Sequence, residues 1–347
     1  MIWMTGIQMR KASVLVLAAL ILAGCAPEPP QQHRVLRDGL MGTVMMITAY
    51  GEGAHEAILA AYERIEEIHR AAEMSDPEIY VFHIADGEGM ILPHETAEII
   101  RTLLDLSLYV YEGTGAAFDP AIGPIIRLWG IGTEYEAVPS QAEINAALNF
   151  SMLSRIYWFD EDALFFGRTG MSLDFGGIAK GYACDEAVRI LREHGVEHAL
   201  LDLGGDIYAL GTRPDGNPWR IGLRSPLGDG EVIGILELSD IAVVTSGSYL
   251  RYFEQDGQRY HHIFDPLTGR PADSGLLSVT VIYENSALAD AFSTAFFVRG
   301  LAFSSGIMLQ DFSEMSAIFI TEELEVHLIG ENAQGFRLTD DRFRIAS

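Results

Sequence analysis

Residues Arg155–Phe166 read RIYWFDEDALFF: two short apolar runs, Arg155–Phe159 and Ala163–Phe166, on either side of an acidic turn, Asp160–Asp162. Runs of this length, rich in aromatic and aliphatic residues and bounded by turn formers, predict a β-hairpin, whose strands are antiparallel. The chain beyond continues in the same manner, with strands expected at Ala199–Leu203, Trp219–Leu223, Ile233–Leu238, Leu277–Tyr283, Ala317–Thr321 and Val326–Ile329. Only two helices are expected there, at Ile178–His194 and Ser286–Arg299. Strands therefore outnumber the helices available as crossovers. The fold class that follows is α+β, with mixed or antiparallel sheets flanked by helices, and not a doubly wound parallel sheet.

Upstream, Ile58, Ala61, Tyr62, Ile65 and Ile68 recur at helical spacing, and so do Ile100, Leu103, Leu104, Ser107 and Tyr111 before Gly113. Both helices are expected to pack against a sheet. Ser140-Gln141-Ala142-Glu143, directly after Pro139, is a capping-box pattern for a short third helix. No internal repeat and no linker rich in Pro, Gly or Ser interrupts residues 34–347. That span is expected to form one compact unit, as a single large domain or two intimately joined lobes.

The first residues address compartment. Arg10-Lys11 precede an apolar run, Ala12–Ala23, that ends in Leu22-Ala23-Gly24-Cys25. The run is short for a membrane span, and small residues before a Cys resemble a bacterial lipoprotein signal. Residues 1–24 are thus expected to be a cleaved leader, Cys25 the lipidated residue, residues 25–33 a polar tether, and the protein a lipid-anchored one on the extracytoplasmic, periplasmic face of a bacterial membrane. The chain carries 23 Lys+Arg against 49 Asp+Glu, a formal charge of −26, and losing Arg10 and Lys11 makes it more negative. That charge excludes nucleic acid and anionic lipid headgroups as natural partners. Past the leader, Cys184 is the sole side-chain thiol beside Cys25, so packing must hold the core.

An acidic chain binds an anion only where local donors and a metal overrule the overall field. Asp174–Asp185, DFGGIAKGYACD, offers such a place: a glycine pair runs into a small-residue helix with Lys180 in its first turns. A second candidate is Asp290 with Thr294. Ser286 can cap a helix there, and a spacing of four puts the carboxylate and the hydroxyl on one face, where they can hold Mg²⁺. Spacing alone fits a plainer reading better, with Thr294 bonded back to a helical carbonyl and Asp290 a surface charge. In Leu201–Ile207 a buried strand meets a Gly204-Gly205 bend whose acids can simply satisfy backbone donors. His261 and His262 are strand neighbours facing opposite ways, so they cannot serve one metal; one can act as acid or base while the other is structural or exposed.

Taken in order, these segments resemble the ApbE family, the FAD:protein FMN transferases. Met41-Gly42-Thr43, Gly115–Pro120 with Gly123-Pro124 and Leu128–Gly130, then Asp174–Asp185, Leu203–Ile207, Thr245–Tyr249, His261–Pro271 and Ala289–Ala295 follow the family pattern over nearly the whole chain. The resemblance implies a Mg²⁺-dependent transfer of the FMN moiety of FAD to a Thr or Ser hydroxyl of an acceptor flavoprotein subunit through a phosphodiester, with release of AMP. It implies metal contacts from Gly177 (through its carbonyl), Asp290 and Thr294. It further implies FAD contacts from Met41, Ala117, Phe118, Asp119, Asp174, Lys180 and the strand His262, Ile263 and Phe264. His262, with Lys180, is implied in catalysis, moving a proton or positioning the attacking hydroxyl.

One stretch departs from the family pattern. Members carry a longer segment after the first helix, beginning Met-Ser-Thr-Tyr, whereas this chain reads Met74-Ser75-Asp76-Pro77-Glu78-Ile79-Tyr80-Val81-Phe82-His83. The aromatic expected beside the flavin is then absent or supplied by Tyr80. Two other functions fit the same residues: hydrolysis of FAD to FMN and AMP, with water replacing the acceptor hydroxyl, and a lipid-anchored FAD-binding protein without turnover. The joint presence of Lys180, His262, Asp290 and Thr294 speaks against the last, since binding alone does not demand all four.

Overall fold

The computed structural model describes residues 30–74 and 79–346. The leader, Cys25 and the tether as far as residue 29 lie outside the described residues, as do Ser75–Glu78 of the shortened segment. A nine-stranded sheet organises the molecule, in the spatial order Gln32–Leu40, Thr43–Tyr50, His198–Leu203, Asp206–Leu210, Ile241–Gly247, Leu276–Tyr283, Ser316–Thr321, Glu325–Ile329 and Arg344–Ile345. Each neighbouring pair is antiparallel except the last, which is parallel. The α+β expectation is met, and the sheet is mixed only at its edge.

Both faces of this sheet are covered, and the strand period of two decides what each covers. Along Ile241–Gly247, Ala242 and Val244 point to a helical layer while Val243 points the other way. The helices are α1 (Ala54–Ala72), α2 (His94–Thr114), α3 (Gly123–Trp129), α4 (Gln141–Leu148), α5 (Ala179–Glu193) and α6 (Ser286–Gln310). Ile58, Ala61, Tyr62, Ile65 and Ile68 of α1 and Ile100, Leu103 and Leu104 of α2 are buried in the core that α5, α6 and the sheet share. On the far face Trp219, Ile221, Ile233 and Leu236 from the strands Trp219–Arg224 and Val232–Leu238 close a second core. A third, smaller core gathers Ile125, Trp129, Ile144, Phe253 and Phe264.

The hairpin read from residues 155–166 is present, with Ile156–Trp158 antiparallel to Ala163–Phe166. It belongs to a separate four-stranded sheet completed by Tyr80–Ile84 and Gly87–Ile91, two strands not expected from the sequence. The Ser140–Glu143 capping box forms as expected at the start of α4. Three boundaries differ. The first strand begins at Gln32, inside the stretch read as tether, because Gln32 pairs with Tyr50. Helix α2 passes through Gly113 and ends where Gly115 adopts a left-handed conformation (φ 63°), the usual helix stop. The last helix runs on to Gln310, but Gly300 (φ 77°, ψ 171°) breaks it one residue after the expected end at Arg299.

Candidate active site

Two helices meet beside the strand Asp206–Leu210, and three charged side chains converge where they do. Lys180, in the first turn of α5, places Nζ 3.2 Å from Asp290 Oδ2 on α6 and 3.2 Å from Asp206 Oδ2 on the strand. The backbone N–H of Gly181 donates to the same Asp290 oxygen at 3.1 Å. Both carboxylates are buried, with Asp206 2% and Asp290 3% exposed. The contact requires the helices to approach closely, and Gly181 permits it. A Cβ at that position would run into the carbonyl of Ser286.

Asp185, the last residue of DFGGIAKGYACD, fixes the geometry from the other side. Its Oδ1 accepts from Ser286 N at 2.8 Å and its Oδ2 from Ala287 N at 2.9 Å, so it satisfies two of the orphan donors at the start of α6. Asn285 takes a third, accepting from Leu288 N at 2.8 Å. With the helix start pinned, Asp290 faces Lys180 and Thr294 lies one turn further on. Thr294 Oγ1 is 3.1 Å from Ser246 Oγ, which also lies 2.8 Å from Ser293 Oγ. Thr294 is therefore in contact with the sheet; no hydrogen bond from its hydroxyl to a helical carbonyl occurs among the described residues. Gly177 closes the group: a Cβ there would stand 3.3 Å from Thr294 Oγ1 and 2.9 Å from the Phe118 ring.

A second arc of residues adjoins the first. Asp119 accepts from Ala121 N at 2.8 Å, and the next residue's carbonyl, Pro120 O, accepts from Asp174 N at 2.7 Å. Asp174 in turn accepts from Gly176 N at 2.9 Å, holding the glycine bend. Arg251 donates to Gly42 O at 3.2 Å, beside Met41, whose φ of 49° marks a tight turn. The carbonyl of Arg251 lies 3.1 Å from His262 Nδ1. A neutral ring that donates from Nδ1 to this carbonyl leaves Nε2 free to accept a proton. His261 has no such freedom. It is buried, its Nε2 lies 3.0 Å from Ala272 O, and its Nδ1 accepts from Ile263 N at 3.3 Å.

The remaining residues fall at different depths. Ala117 and Phe118 are buried at the edge of the main core, with the Phe118 ring against Gly177. Ile263 is buried in that core, and Phe264 packs on Trp129 with ring centroids 5.7 Å apart. These two can present only backbone to a ligand. Tyr80 is 64% exposed on the four-stranded sheet, and among the described residues no hydrogen bond, ion pair or ring contact joins it to the cluster.

Burial and charge set the protonation of the site. Burial alone would lower the pKa of Lys180, but Asp206 and Asp290 outweigh it and hold the ammonium charged. Burial and then the charge of Asp290 push the Asp206 carboxyl well up. Burial lifts Asp119 to about 6 and raises Asp174, the latter opposed by the Gly176 N–H and by Arg127 and Arg251. His262 is drawn down to about 4, chiefly by burial, with the charges of Arg251 and Lys180 adding to it.

The donors that converge are hard oxygens, which suit Mg²⁺ and not a soft transition metal. Asp206 Oδ2 supports the fit: it is buried, and the ammonium 3.2 Å away approaches it off the direction a hydrogen bond needs, leaving an oxygen short of a directed partner. Among the described residues no group of three or more His, Cys, Asp and Glu forms a closed metal cage. An ion that keeps waters and takes substrate phosphate needs none.

The ApbE family profile matches residues 41–319, which include every residue of the two arcs. The chain belongs to the ApbE family. It is 32% identical over 354 residues to the FAD:protein FMN transferase of Treponema pallidum, covering 96% of this chain and 97% of that one. It is 33% identical over 312 residues to a protein of the same name from Klebsiella pneumoniae, covering 88% and 95%. Among solved structures, the ApbE protein of Thermotoga maritima superposes with a TM-score of 0.70 at 30% identity, covering 89% of this chain and 97% of that one. The flavin transferase ApbE of Vibrio cholerae superposes with a TM-score of 0.69 at 24% identity, covering 91% and 99%, and supports the fold.

Sequence reasoning missed Asp206, Ser246, Ser293 and Asp185 as parts of the site. All four stood inside motifs already singled out, Asp206 and Asp185 in the two that carry a glycine pair. Their signal was position, since Asp185 ends the helix turn after Lys180 and Asp206 follows a glycine bend.

Proposed function

We propose that this ApbE family member transfers the FMN moiety of FAD to a Thr or Ser hydroxyl of an acceptor protein, in a Mg²⁺-dependent reaction that releases AMP. The observation that carries the reading is the convergence of Lys180, Asp290, Thr294 and Gly177 on one buried place inside a chain of strongly negative charge. Only a negatively charged ligand that brings a cation with it is suited to such a place.

Asp290, Thr294 and the Gly177 carbonyl would hold Mg²⁺, which when bound neutralises the pyrophosphate and polarises the phosphorus. Lys180 adds a point charge to the pyrophosphate. Met41, Asp119 and Asp174 and the backbone at Ala117, Phe118, Ile263 and Phe264 border the nucleotide; Tyr80 is the candidate ring for the flavin on the adjoining sheet. The acceptor oxygen attacks the FMN phosphorus, the new P–O bond forms, and the P–O bond to the AMP phosphate breaks, so AMP leaves with the bonding pair. His262 Nε2, unprotonated at neutral pH, takes up or orients the hydroxyl proton.

The leader and Cys25 support a location at the extracytoplasmic face of a bacterial membrane, with residues 34–347 as the enzymatic domain. The test of activity is to incubate the soluble domain with FAD, Mg²⁺ and a candidate acceptor domain. An acceptor mass increased by one FMN beside an equal amount of AMP is expected. AMP with free FMN and no adduct would assign hydrolysis instead, and neither product would leave a binding protein.

A further inference from the structure

Lys180 stands where a cation is wanted. Its ammonium bridges Asp206 and Asp290 at 3.2 Å each, and Asp290 is also the carboxylate read as a metal ligand. One oxygen pair cannot serve the ammonium and a divalent ion equally, since two cations at that separation in a buried setting repel strongly. Entry of the ion must therefore shift Lys180 off Asp290. An ammonium expelled from one buried carboxylate needs another, because an unpaired buried charge is costly.

We propose that Asp206 is a positioning residue that receives Lys180 when the metal takes Asp290, and so holds the ammonium toward the pyrophosphate. Asp206 is suited to this task by three observations. It lies on a sheet strand, paired on one side with Ala199–Asp202 and on the other with Ile241–Val244, and cannot follow the helices. Its Oδ2 has an ionic contact and no directed donor, so it has capacity for a better-aligned one. The bend before it also turns its neighbour away: Asp202 accepts from Gly205 N at 2.9 Å, leaving Asp206 as the acid of this loop that meets Lys180. Lys180 thus acts as a place-holder for the metal before it binds, and Asp206 keeps the ammonium on hand once it has.

The inference rests on the reading of Asp290 as a metal ligand, and Asp290→Asn tests that separately: metal affinity unchanged in this variant overturns the metal reading itself. Given its loss there, the inference is tested by Mg²⁺ or Mn²⁺ titration calorimetry without FAD, on Asp206→Asn, Lys180→Met and the double variant, with melting temperatures alongside. Asp206→Asn leaves Lys180 only Asp290 to pair with, so the ammonium competes with the ion and metal affinity falls about tenfold or more. In the Lys180→Met background the same change is expected to alter affinity less than about twofold, since its effect passes through Lys180. Equal losses in both backgrounds would make Asp206 a direct ligand, and no loss in either would make it a bystander; both overturn the proposal. Should Lys180→Met fail to fold, a crystal structure of the unaltered protein with Mg²⁺ and no FAD decides. Nζ bonded to Asp206 and withdrawn from Asp290 is expected, and Nζ still shared between them, or detached from Asp206, overturns it.

Discussion

Asp185 grips Ala287 and its neighbour Ser286 through both carboxylate oxygens, at 2.9 and 2.8 Å, and by doing so sets the first turn of the helix that carries Asp290 and Thr294. The Lys180 motif and helix α6 are one mechanical unit. Asp185→Ala is expected to lower stability by about 2 kcal/mol, the upper range for a lost helix cap. It should also weaken Mg²⁺ binding although Asp185 touches no ligand. Denaturant unfolding beside metal titration checks both, and a stability loss with unchanged metal affinity would break the link.

Asp290→Asn keeps the shape of the side chain and an oxygen for the Gly181 N–H while removing the charge. Turnover should be abolished, and FAD affinity should fall only when Mg²⁺ is present. Thr294→Val should act in the same direction and less, because it deletes one neutral oxygen. AMP release measured with and without EDTA separates the metal effect from a folding defect.

His261 and His262 should behave oppositely when changed to Ala. His262→Ala is expected to slow single-turnover transfer at saturating FAD by roughly 10², the usual scale for a lost proton-transfer group. His261→Ala should leave that rate alone and lower the melting temperature, since both of its ring nitrogens are bonded and the groups left behind are buried. A rate unchanged in His262→Ala with a lowered melting point would assign that ring to packing as well.

Two glycines distinguish folding from binding. In Gly181→Ala the new methyl meets the backbone carbonyl of Ser286, which cannot give way without parting α5 and α6, so a loss of about 2 kcal/mol or more is expected. In Gly177→Ala the methyl meets the Phe118 ring and the Thr294 hydroxyl, and metal affinity should suffer more than stability. Melting curves and metal titrations of the two proteins should rank them in opposite orders.

Two buried carboxylates should contribute a rise in stability as the pH falls from about 7.5 to about 5. Asp119 and Asp185 both have pKa values lifted to about 6, mainly by burial, from 3.8 in the unfolded chain. A raised folded-state pKa means that the native protein binds protons first, so this contribution is fully present below 3.8 and lost as pH rises through 6. His262, drawn down from 6.5 to about 4 mainly by burial, and His261, lowered for the same reason, work the other way in this window, because the unfolded chain binds their protons first as the pH falls through 6.5. Asp119→Asn should flatten the rise, as followed by melting temperature against pH.

Much of this was legible in the sequence because it is local. The strands His198–Leu203, Trp219–Arg224, Val232–Leu238, Leu276–Tyr283, Ser316–Thr321 and Glu325–Ile329 and the cap at Ser140 follow from period and turn chemistry within a few residues, whereas Asp206–Leu210 and Ile241–Gly247, in the middle of the large sheet, are not among the strands the sequence predicts. The strand Gly87–Ile91 is not legible in the sequence because glycines at Gly87 and Gly89 weaken any strand pattern; in the fold Gly89 lies beneath the Phe82 ring, where a side chain would collide. Asp206 could not be told from Asp202, because the Gly204-Gly205 bend (φ 74° and 102°) resets the alternation that would assign each acid a face. The contact of Ser246 with Thr294 spans 48 residues and exists only when α6 lies on the sheet. No local pattern encodes it.

Lys180 and Asp290 are 110 residues apart in the chain, and the contact between them waits on α6. A chain synthesised only to residue 285 has the lysine, the glycine bend and six of the nine strands of the large sheet, yet lacks Asp290 and Thr294. Competence arrives in a single late step, when α6 docks.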